Sequence, residues 1–391
     1  MTERLILFVG VYDTLDLFTY ELQREFQKLG YEVLIFDSRK MEESLGKLAQ
    51  FVMQPVKAAV TFNNLGYNME LVQGKNIWDE LGIPCINILM DHPFCYREAL
   101  LDSPKNGIVL CVDRNHMKYV QRFYPNIATT GFLPHGGKEL SGEKKTIGER
   151  TIDVLYAGNL SRSFVENIIP DLSVYTEFPA EELCEKAYRG LIAHPRKTTE
   201  QALEEQLKAA VPDCSEEQLN QWISELHFVD LYAVSYYREK TVRVLAEKGI
   251  HVTLLGAGWD NCDWVRASNV DYYGKVPAEQ VVEMMQDTKI VLSTMTWFKD
   301  GTHDRVFNGM LQKAVTVSDT SGYMEEEFQS DEDMILFDLE ELDTLPEKVG
   351  KLLANPDLAQ EIAERGYQKA KHYHTWAARA KELKTDLLDY L

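Results

Sequence analysis

Positive charge is scarce in this chain of 391 residues: 41 Lys and Arg stand against 62 Asp and Glu, and the formal net charge is −21. A field of that sign repels nucleic acids and anionic membranes, so we expect no nucleic-acid partner. It also restricts where an anionic ligand could bind. Such a site must be locally positive, at helix N-termini and at a few Arg, Lys or His side chains.

Cysteine is also sparse, and no C-x-x-C pair occurs. Several cysteines lie in apolar runs such as IPCINIL and IVLCVD, where Cys behaves as a small buried hydrophobic residue. This usage indicates a reducing compartment, with neither a disulfide framework nor a zinc site. The six positions are Cys85, Cys95, Cys111, Cys184, Cys214 and Cys262.

Long apolar runs and internal repeats are missing as well. No stretch approaches the ~18–20 apolar residues that cross a bilayer, so no transmembrane segment is predicted. The apolar run that begins at Leu5 is too short for a signal peptide and continues as a strand pattern. We therefore expect a cytoplasmic protein.

Short apolar runs alternate with helical or turn segments over residues 1–137. Runs that are apolar throughout are typical of parallel strands buried on both faces, and the alternation predicts a Rossmann-like, doubly wound α/β domain. Because the chain exceeds what one hydrophobic core usually serves, a second domain is expected. The first-domain runs are LILFVGV (5–11), EVLIFD (32–37), AAVTFN (58–63), PCINILMD (84–91), GIVLCVD (107–113) and GFLPHG (131–136).

A polar stretch without periodicity, 138–151, is interpreted as a linker or exposed loop. Residues 152–356 are predicted to form a second Rossmann-like doubly wound domain, and 357–391 to form C-terminal helices that pack across the domains. The second-domain runs are IDVLYAG (152–158), HVTLLGAG (251–258), VDYYGKV (270–276), KIVLSTM (289–295), AVTVSD (314–319) and MILFD (334–338).

The segment 161–249 interrupts the second domain without a convincing strand. Two capping boxes, at Thr198 with Gln201 and at Ser215 with Gln218, each precede a helical run. We therefore predict a large α-helical insertion. Two doubly wound domains in tandem also predict a cleft where ligands meet the carboxyl ends of strands.

Residues 289–328 resemble the C-terminal domain of GT-B glycosyltransferases, closest to the spore-maturation (CgeB-like) branch and its family 1-like C-terminal domain. The likeness lies in a strand, a short loop, an H-x-R-x-F sequence that opens a helix, a second strand and an acidic-aromatic loop. The segments IDVLYAGNLSRS, TLLGAGWD and KHYHTWAARAKEL agree with it. The resemblance implies a metal-independent glycosyltransferase whose C-terminal domain binds a nucleotide-sugar donor and whose N-terminal domain presents the acceptor.

Many retaining members of this fold carry two glutamates separated by seven residues, and here the corresponding positions are Asp300 and Asn308. The resemblance implies ribose contact for Asn308, whose amide can replace the carboxylate with weaker hydrogen bonds. Asp300 keeps the charge on a shorter side chain and is a candidate catalytic residue. This departure leaves the stereochemistry of transfer unassigned.

The departing diphosphate would need positive side chains and a helix N-terminus. The loop before the helix at Val306 supplies candidates for this role, with an ordinary surface turn as the alternative. For the candidates outside this loop, the alternative interpretation is a structural one: a helix cap, a plain turn, or Ser and Gly residues that form a turn. The predicted donor-binding residues are Arg162, Gly256, Gly258, Trp259, Lys299, Gly301, His303, Arg305, Asn308, Ser321, Gly322 and Tyr323.

Asp91 and His92 follow a buried strand of the first domain, where the cleft is expected. A carboxylate beside an imidazole could deprotonate an acceptor hydroxyl, so both are candidate catalytic residues, with a helix cap as the alternative. No metal ligand is predicted: the Asp331-x-Asp333 pattern precedes a strand in an acidic stretch, and His372 and His374 do not share a helix face.

The sequence thus predicts transfer of a hexose or N-acetylhexosamine from a nucleotide-diphosphate sugar, a UDP-sugar by preference, with no cofactor beyond that co-substrate. The acceptor is unidentified, with a protein and a surface glycan as candidates. Two alternatives stay open: a sugar-nucleotide epimerase or hydrolase on the same fold, and a catalytically lapsed sensor or scaffold. The glutamate-to-Asn308 change and the insertion motivate the sensor.

Overall fold

A computed structural model of the protein describes residues 2–160 and 168–391. The chain divides into two compact units. Unit 1 comprises residues 1–138 and 372–391, and unit 2 comprises residues 139–371. No helix in the described part of the chain combines the length and hydropathy needed to cross a bilayer.

Unit 1 is built on a parallel sheet whose described strands follow the order β2-β1-β3-β6-β7-β8. The central strands are buried along their whole length, as their unbroken apolar sequences predict. The direction in which the strands are added reverses between β1 and β3. The strands are β1 (Arg4–Val9), β2 (Glu32–Asp37), β3 (Ala58–Phe62), β6 (Cys85–Leu89), β7 (Gly107–Cys111) and β8 (Thr129–Phe132), with a hairpin of β4 (Glu70–Val72) and β5 (Lys75–Asn76).

Helices connect these strands and cover the sheet. The first, Asp13–Lys28, buries Phe18, Leu22 and Phe26 along one stripe, and Asp residues in its first turn and Lys28 in its last complement the helix dipole. The unit 1 helices of the first 138 residues are α1 (Asp13–Lys28), α2 (Met41–Phe51), α3 (Ile77–Leu81), α4 (Arg97–Leu101) and α5 (Arg114–Phe123).

Unit 2 contains a second parallel sheet with the order β11-β10-β9-β12-β13-β14 among the described residues. The two sheets confirm the predicted pair of Rossmann-like domains. In this sheet the strand order reverses between β9 and β12. The strands are β9 (Ile152–Ala157), β10 (Val252–Leu255), β11 (Val270–Gly274), β12 (Thr288–Ser293), β13 (Val315–Asp319) and β14 (Ile335–Phe337).

Four described helices lie between β9 and β10. Both predicted capping boxes are formed. The Thr198 and Ser215 side chains accept from the backbone N–H groups of Gln201 and Gln218, and the side-chain oxygens of these two glutamines accept from the backbone N–H groups of Thr198 and Ser215. The four are α6 (Ala180–Ala193), α7 (Thr199–Ala210), α8 (Glu216–Glu225) and α9 (Phe228–Glu247). Later helices are α10 (Ala278–Met285), α11 (Asp304–Leu311), α12 (Gly322–Glu327), α13 (Leu345–Ala354), α14 (Pro356–Tyr373) and α15 (Trp376–Glu382).

The stretch 138–151, expected as an exposed connector, packs onto unit 2 from residue 139 onward. Ile147 is buried in the core of that unit. The buried guanidinium of Arg150 donates to the carbonyls of Thr288 (2.7 Å) and Gln312 (2.8 Å). Contacts of a side chain with backbone carbonyls leave no periodic pattern, which is why the sequence suggested a loop.

The last twenty residues belong to unit 1. Trp376 packs with its ring centre 4.9 Å from that of Phe18 and 5.9 Å from that of Phe62. The buried side chain of Arg379 donates to the carbonyls of His135 (3.2 Å) and Tyr373 (2.6 Å). These contacts explain how the polar sequence at the C-terminus is held against the first sheet.

Candidate functional site

The carboxyl ends of β9 and β12 lie side by side at the point where the order of the second sheet reverses. In open parallel sheets, ligands bind outside such a point because the two connecting segments diverge there and leave a crevice. The chain that leaves these strands, and the neighbouring strands β10 and β13, carries most of the predicted donor-binding residues. The site is therefore built from this edge of unit 2.

Gly256 and Gly258 are required by close packing between two loops at this edge. Their φ angles are +120° and +91°, and a Cβ would lie 2.3 Å from the carbonyl oxygen of Gly158 and 2.2 Å from that of Leu160, respectively. The N–H of Gly256 also donates to Gly274 at 2.7 Å. The loop geometry accounts for both glycines without a nucleotide.

Trp259 was predicted to contact the donor, but the structure places it in the core. Its side chain is fully buried, and its indole N–H donates to the carbonyl of Gly158 at 2.8 Å. The ring also meets Tyr156 edge-on, with centres 5.7 Å apart. A ring with no exposed face cannot stack on a base, so Trp259 holds the loop after β10 against the loop after β9 instead.

Arg305 lies in the first turn of α11, and its buried side chain is next to the carboxyl ends of β9 and β12. It is 6% exposed, and its Nη1 donates to the hydroxyl of Ser293 at 3.2 Å. Its guanidinium carbon lies 5.5 Å from the centre of the Tyr156 ring, and its Nη2 is close enough to the loop after β9 to lie 3.4 Å from a Cβ at Gly158. A positive charge is thus fixed beside the carboxyl ends of β9 and β12.

Arg238, which the sequence analysis missed, brings a second guanidinium to the same place from α9. Its Nη1 donates to the carbonyl of Asn159 at 2.6 Å, and its guanidinium carbon lies 4.7 Å from the centre of the Trp297 ring. Its buried Nε has no hydrogen-bond partner among the described residues. Burial lowers the pKa of Arg238, and the neighbouring Arg305 charge acts in the same direction.

Neither guanidinium forms an ion pair with a carboxylate in the described part of the chain. Two like charges held together out of water are costly unless an anion compensates them. The pair therefore supplies the locally positive spot that a chain of net charge −21 requires for an anionic ligand. No sequence signal marks Arg238, because its role depends on where helix α9 lies against the sheet.

His303 was predicted to add positive charge, and here the structure differs. Burial, and then the charge of Arg305, lower the pKa of His303, so the imidazole is neutral near pH 7. Its Nδ1 lies 2.6 Å from Oδ1 of Asp304 and 3.2 Å from the backbone nitrogen of Arg305. The shorter distance assigns the Nδ1 proton to the carboxylate of Asp304.

Asn308, the predicted ribose contact, is 4% exposed and donates to Oδ2 of Asp304 at 2.9 Å. One carboxylate oxygen of Asp304 therefore contacts His303, and the other accepts from Asn308. The amide of Asn308 acts within the first turns of α11. This network orients the start of the helix that carries Arg305.

Contacts between the loop after β12 and the start of α12 involve five further predicted residues. The N–H of Gly322 donates to the carbonyl of Lys299 at 2.8 Å, and the hydroxyl of Ser321 donates to that of Gly301 at 2.6 Å. A Cβ at Gly322 would lie 3.0 Å from Oδ1 of Asp300, so this carboxylate lies beside a helix N-terminus. These contacts join the loop to the helix and occupy the groups expected to hold phosphate.

Three of these five residues, Lys299, Ser321 and Gly322, also line a small pocket of about 60 Å³. Its wall includes Lys299, whose ammonium donates to the carbonyl of Pro195, and the buried carboxylate of Asp319. Burial raises the pKa of Asp319 to about 6. Tyr323 is buried next to the pocket-lining Gly322, and Arg162 lies outside the described residues.

In unit 1 the structure separates the two candidate catalytic residues. His92 is buried; its Nδ1 accepts from the backbone N–H of Phe94 at 3.1 Å, and its ring stacks on that phenyl ring with centres 3.7 Å apart. Asp91 is exposed and accepts from Asn63 and Tyr96. His92 thus serves as a helix cap, the alternative that the sequence left open.

No group of three or more His, Cys, Asp or Glu in the described ranges is arranged to hold a metal ion. The expectation of a metal-free site stays a prediction, because the grouping of side chains does not test the reaction.

Comparison with known proteins agrees with this architecture. Residues 238–385 match the model of a family described as glycosyl transferase-like, over a little more than a third of the chain. A glycosyltransferase from Rickettsia africae superposes with a TM-score of 0.55 at 8% identity, over 100% of this chain and 98% of that one. A search of curated proteins found no match.

Two further solved structures share the fold. Sucrose-phosphate synthase from Thermosynechococcus elongatus gives a TM-score of 0.55 at 11% identity, over 99% of each chain. HepE from Anabaena, solved in complex with UDP and glucose, gives 0.53 at 11% identity over 100% of both chains. The chain has the GT-B fold, and its residues 238–385 are similar to the glycosyl transferase-like family.

Proposed function

We propose that the protein transfers a hexose or N-acetylhexosamine from a nucleotide-diphosphate sugar, by preference a UDP-sugar, to an acceptor, without a metal ion. The observation that carries the proposal is the pair Arg238 and Arg305 at the reversal point of the second sheet. The GT-B fold supports it, and the resemblance of residues 289–328 suggests the CgeB-like branch.

The two guanidiniums match the chemistry of the leaving group. When the bond to the sugar breaks, negative charge develops on the diphosphate, and fixed positive groups stabilise that charge most where water is excluded. Arginine binds phosphate oxygens through two parallel N–H donors. The buried Nε of Arg238, which lacks a partner among the described residues, is a donor ready for such an oxygen.

The proposal gives the other residues of the site supporting roles. His303, Asp304 and Asn308 orient the start of α11, while Asp300, Ser321 and Gly322 hold the neighbouring loop. Among the residues that the structure describes, Arg305 and Arg238 would contact the diphosphate, and Arg162 stays a predicted contact outside them. In unit 1, Asp91 is the carboxylate proposed to accept the proton of an acceptor hydroxyl.

UDP is the nucleotide to test first, because HepE was solved with UDP and with UDP-glucose. Isothermal titration of UDP, GDP and TDP into the full chain should show binding of one of them. Arg238→Gln and Arg305→Gln should each weaken that binding about tenfold or more, since each removes a charge-assisted contact. Arg305→Lys keeps the charge and should lose less.

Arg243→Gln is the matched control, because Arg243 lies on the same helix and forms an exposed pair with Glu247 at 2.7 Å. It should leave nucleotide affinity unchanged. Equal effects of the Arg238 and Arg243 changes would refute the proposed phosphate site. Release of UDP without an added acceptor would indicate a hydrolase or epimerase, and tight binding without turnover a sensor.

A further inference from the structure

Three neighbouring strands of the first sheet, β1, β3 and β6, end beside one another at the point where the strand order reverses. Tyr12 follows the first, Asn63 the second and Asp91 the third, and Tyr96 contacts Asp91 from the segment that follows. We call these four residues the Asp91 cluster. It occupies in unit 1 the kind of edge where open α/β sheets bind ligands.

Asn63 and its neighbour Asn64 have left-handed backbone, with φ of 48° and 64°. Asn is one of the few residues besides Gly that adopts this conformation, and the surrounding contacts must compensate its cost. Oδ1 of the Asn63 side chain accepts from the backbone N–H of Met90 at 2.7 Å, and the backbone N–H of Asn64 donates to Oδ1 of the buried Asn87 at 3.0 Å. The Asn63 amide is therefore fixed before a ligand arrives.

Asp91 receives two hydrogen bonds on one oxygen. Its Oδ2 accepts from Nδ2 of Asn63 at 2.8 Å and from the phenol of Tyr96 at 3.0 Å. Burial raises the pKa of Tyr96, and the Asp91 charge acts the same way, so the phenol stays a donor. Asp91 is exposed, and no described residue donates a hydrogen bond to its Oδ1, so the acceptor sites of that oxygen are available.

Tyr12 places an aromatic ring next to this polar pair. Its side chain is 63% exposed, beside Val11, which is 55% exposed, and its phenol contributes to the raised pKa of Tyr96. An exposed ring offers an apolar face with a polar end. A rigid carboxylate and amide beside such a face suit a ligand with ring C–H groups on one side and hydroxyls on its rim.

We infer that the Asp91 cluster binds a neutral carbohydrate, the hydroxyls of which donate to Oδ1 of Asp91 and accept from the second N–H of Asn63 while the ring lies on Tyr12. The identification of this carbohydrate as the acceptor of transfer rests on the proposed function. Its binding to the Asp91 cluster does not. A sugar hydroxyl both donates and accepts, which matches the paired carboxylate and amide.

The charge of the cluster selects against acidic ligands. Asp91 forms no ion pair with any described residue, so its negative charge is uncompensated at the surface. A sugar acid or a phosphorylated glycan would bring a like charge to within a few ångströms of it. The acceptor class is therefore a neutral glycan.

Saturation-transfer NMR on the full chain, without nucleotide, should detect binding of glucose, N-acetylglucosamine or their β-linked disaccharides and give a Kd. Asp91→Asn and Asn63→Gly should each raise that Kd about tenfold. Glycine tolerates the positive φ of Asn63, so the second change removes the amide without straining the backbone. Tyr12→Leu should weaken binding similarly.

Tyr20→Leu is the matched control, since Tyr20 is also exposed, on α1 outside the cluster, and should leave the Kd unchanged. Glucuronate should bind the wild type at least tenfold more weakly than glucose, and Asp91→Asn should reduce that difference. Loss of nucleotide binding with saccharide binding intact would refute the proposed function alone. Nucleotide binding with no saccharide binding, or with a Ser- or Thr-containing peptide as the sole ligand, would overturn the inference.

Discussion

Arg238 lies over the indole ring of Trp297, with its guanidinium carbon 4.7 Å from the ring centre. The ring follows β12 and the arginine comes from α9, so this cation–π contact joins the long helical segment to the strand end of the site. A guanidinium that stacks on a ring face has a fixed orientation, and its N–H groups remain available to donate hydrogen bonds to a ligand. The contact is therefore part of how the positive pair is positioned.

Replacing Trp297 by Leu should weaken nucleotide binding about two- to fivefold, the equivalent of the 0.5–1 kcal/mol expected for a partly exposed cation–π contact. Trp297→Phe retains a ring face and should recover most of the affinity. Titration calorimetry with UDP measures both, and thermal unfolding checks that each variant is folded. If Leu and Phe behave alike, the ring does not position Arg238.

Much of the sheet architecture could be predicted because short runs that are apolar throughout are typical of parallel strands buried on both faces. The runs 84–91 and 107–113 contain the strands Cys85–Leu89 and Gly107–Cys111. The predictions extend beyond the carboxyl ends of these strands. Residues just past a strand keep its composition while their backbone leaves the sheet, and these are the residues that form the sites.

The site itself was less predictable because side-chain roles depend on contacts distant in sequence. A tryptophan after a G-x-G turn, such as Trp259, gives no indication that its N–H bonds to a carbonyl about a hundred residues earlier. The charge of His303 was misjudged because burial, not residue type, sets its pKa. Arg238 was missed because it lies in an ordinary helical sequence.

Of the two loop glycines Gly256 and Gly258, Gly258 makes the closer contact, which leads to a prediction for stability. Gly258→Ala places a Cβ 2.2 Å from the backbone carbonyl oxygen of Leu160 and should lower the free energy of unfolding by about 2–4 kcal/mol. Gly249→Ala has a similar positive φ but meets nothing within 4 Å, so it isolates the backbone cost of about 1–2 kcal/mol. Urea unfolding of both variants measures the difference, and equal losses would contradict the packing argument.

The raised pKa of the Asp319 carboxyl predicts that the stability of the protein depends on pH. Burial raises its pKa from 3.8 to about 6, so the folded state binds this proton more tightly than the unfolded chain does. The free energy of unfolding should therefore fall as pH rises from about 4 to about 6, by about 3 kcal/mol for this group. Asp319→Asn still accepts from the N–H of Met295 and should remove that part of the profile. Superimposable profiles of the variant and the wild type between these pH values would exclude the effect.

Arg150 tests whether residues 139–151 are an integral part of unit 2. Its guanidinium satisfies the carbonyls of Lys145, Thr288 and Gln312, and burial lowers its pKa to about 10. Arg150→Met fills the space but leaves buried carbonyls without donors, which should cost about 2–4 kcal/mol of unfolding free energy. Lys145→Met removes only an exposed pair with Asp287 and should cost less than about 1 kcal/mol. Similar urea midpoints for the two variants would mean that this segment is the simple connector its polar sequence suggests.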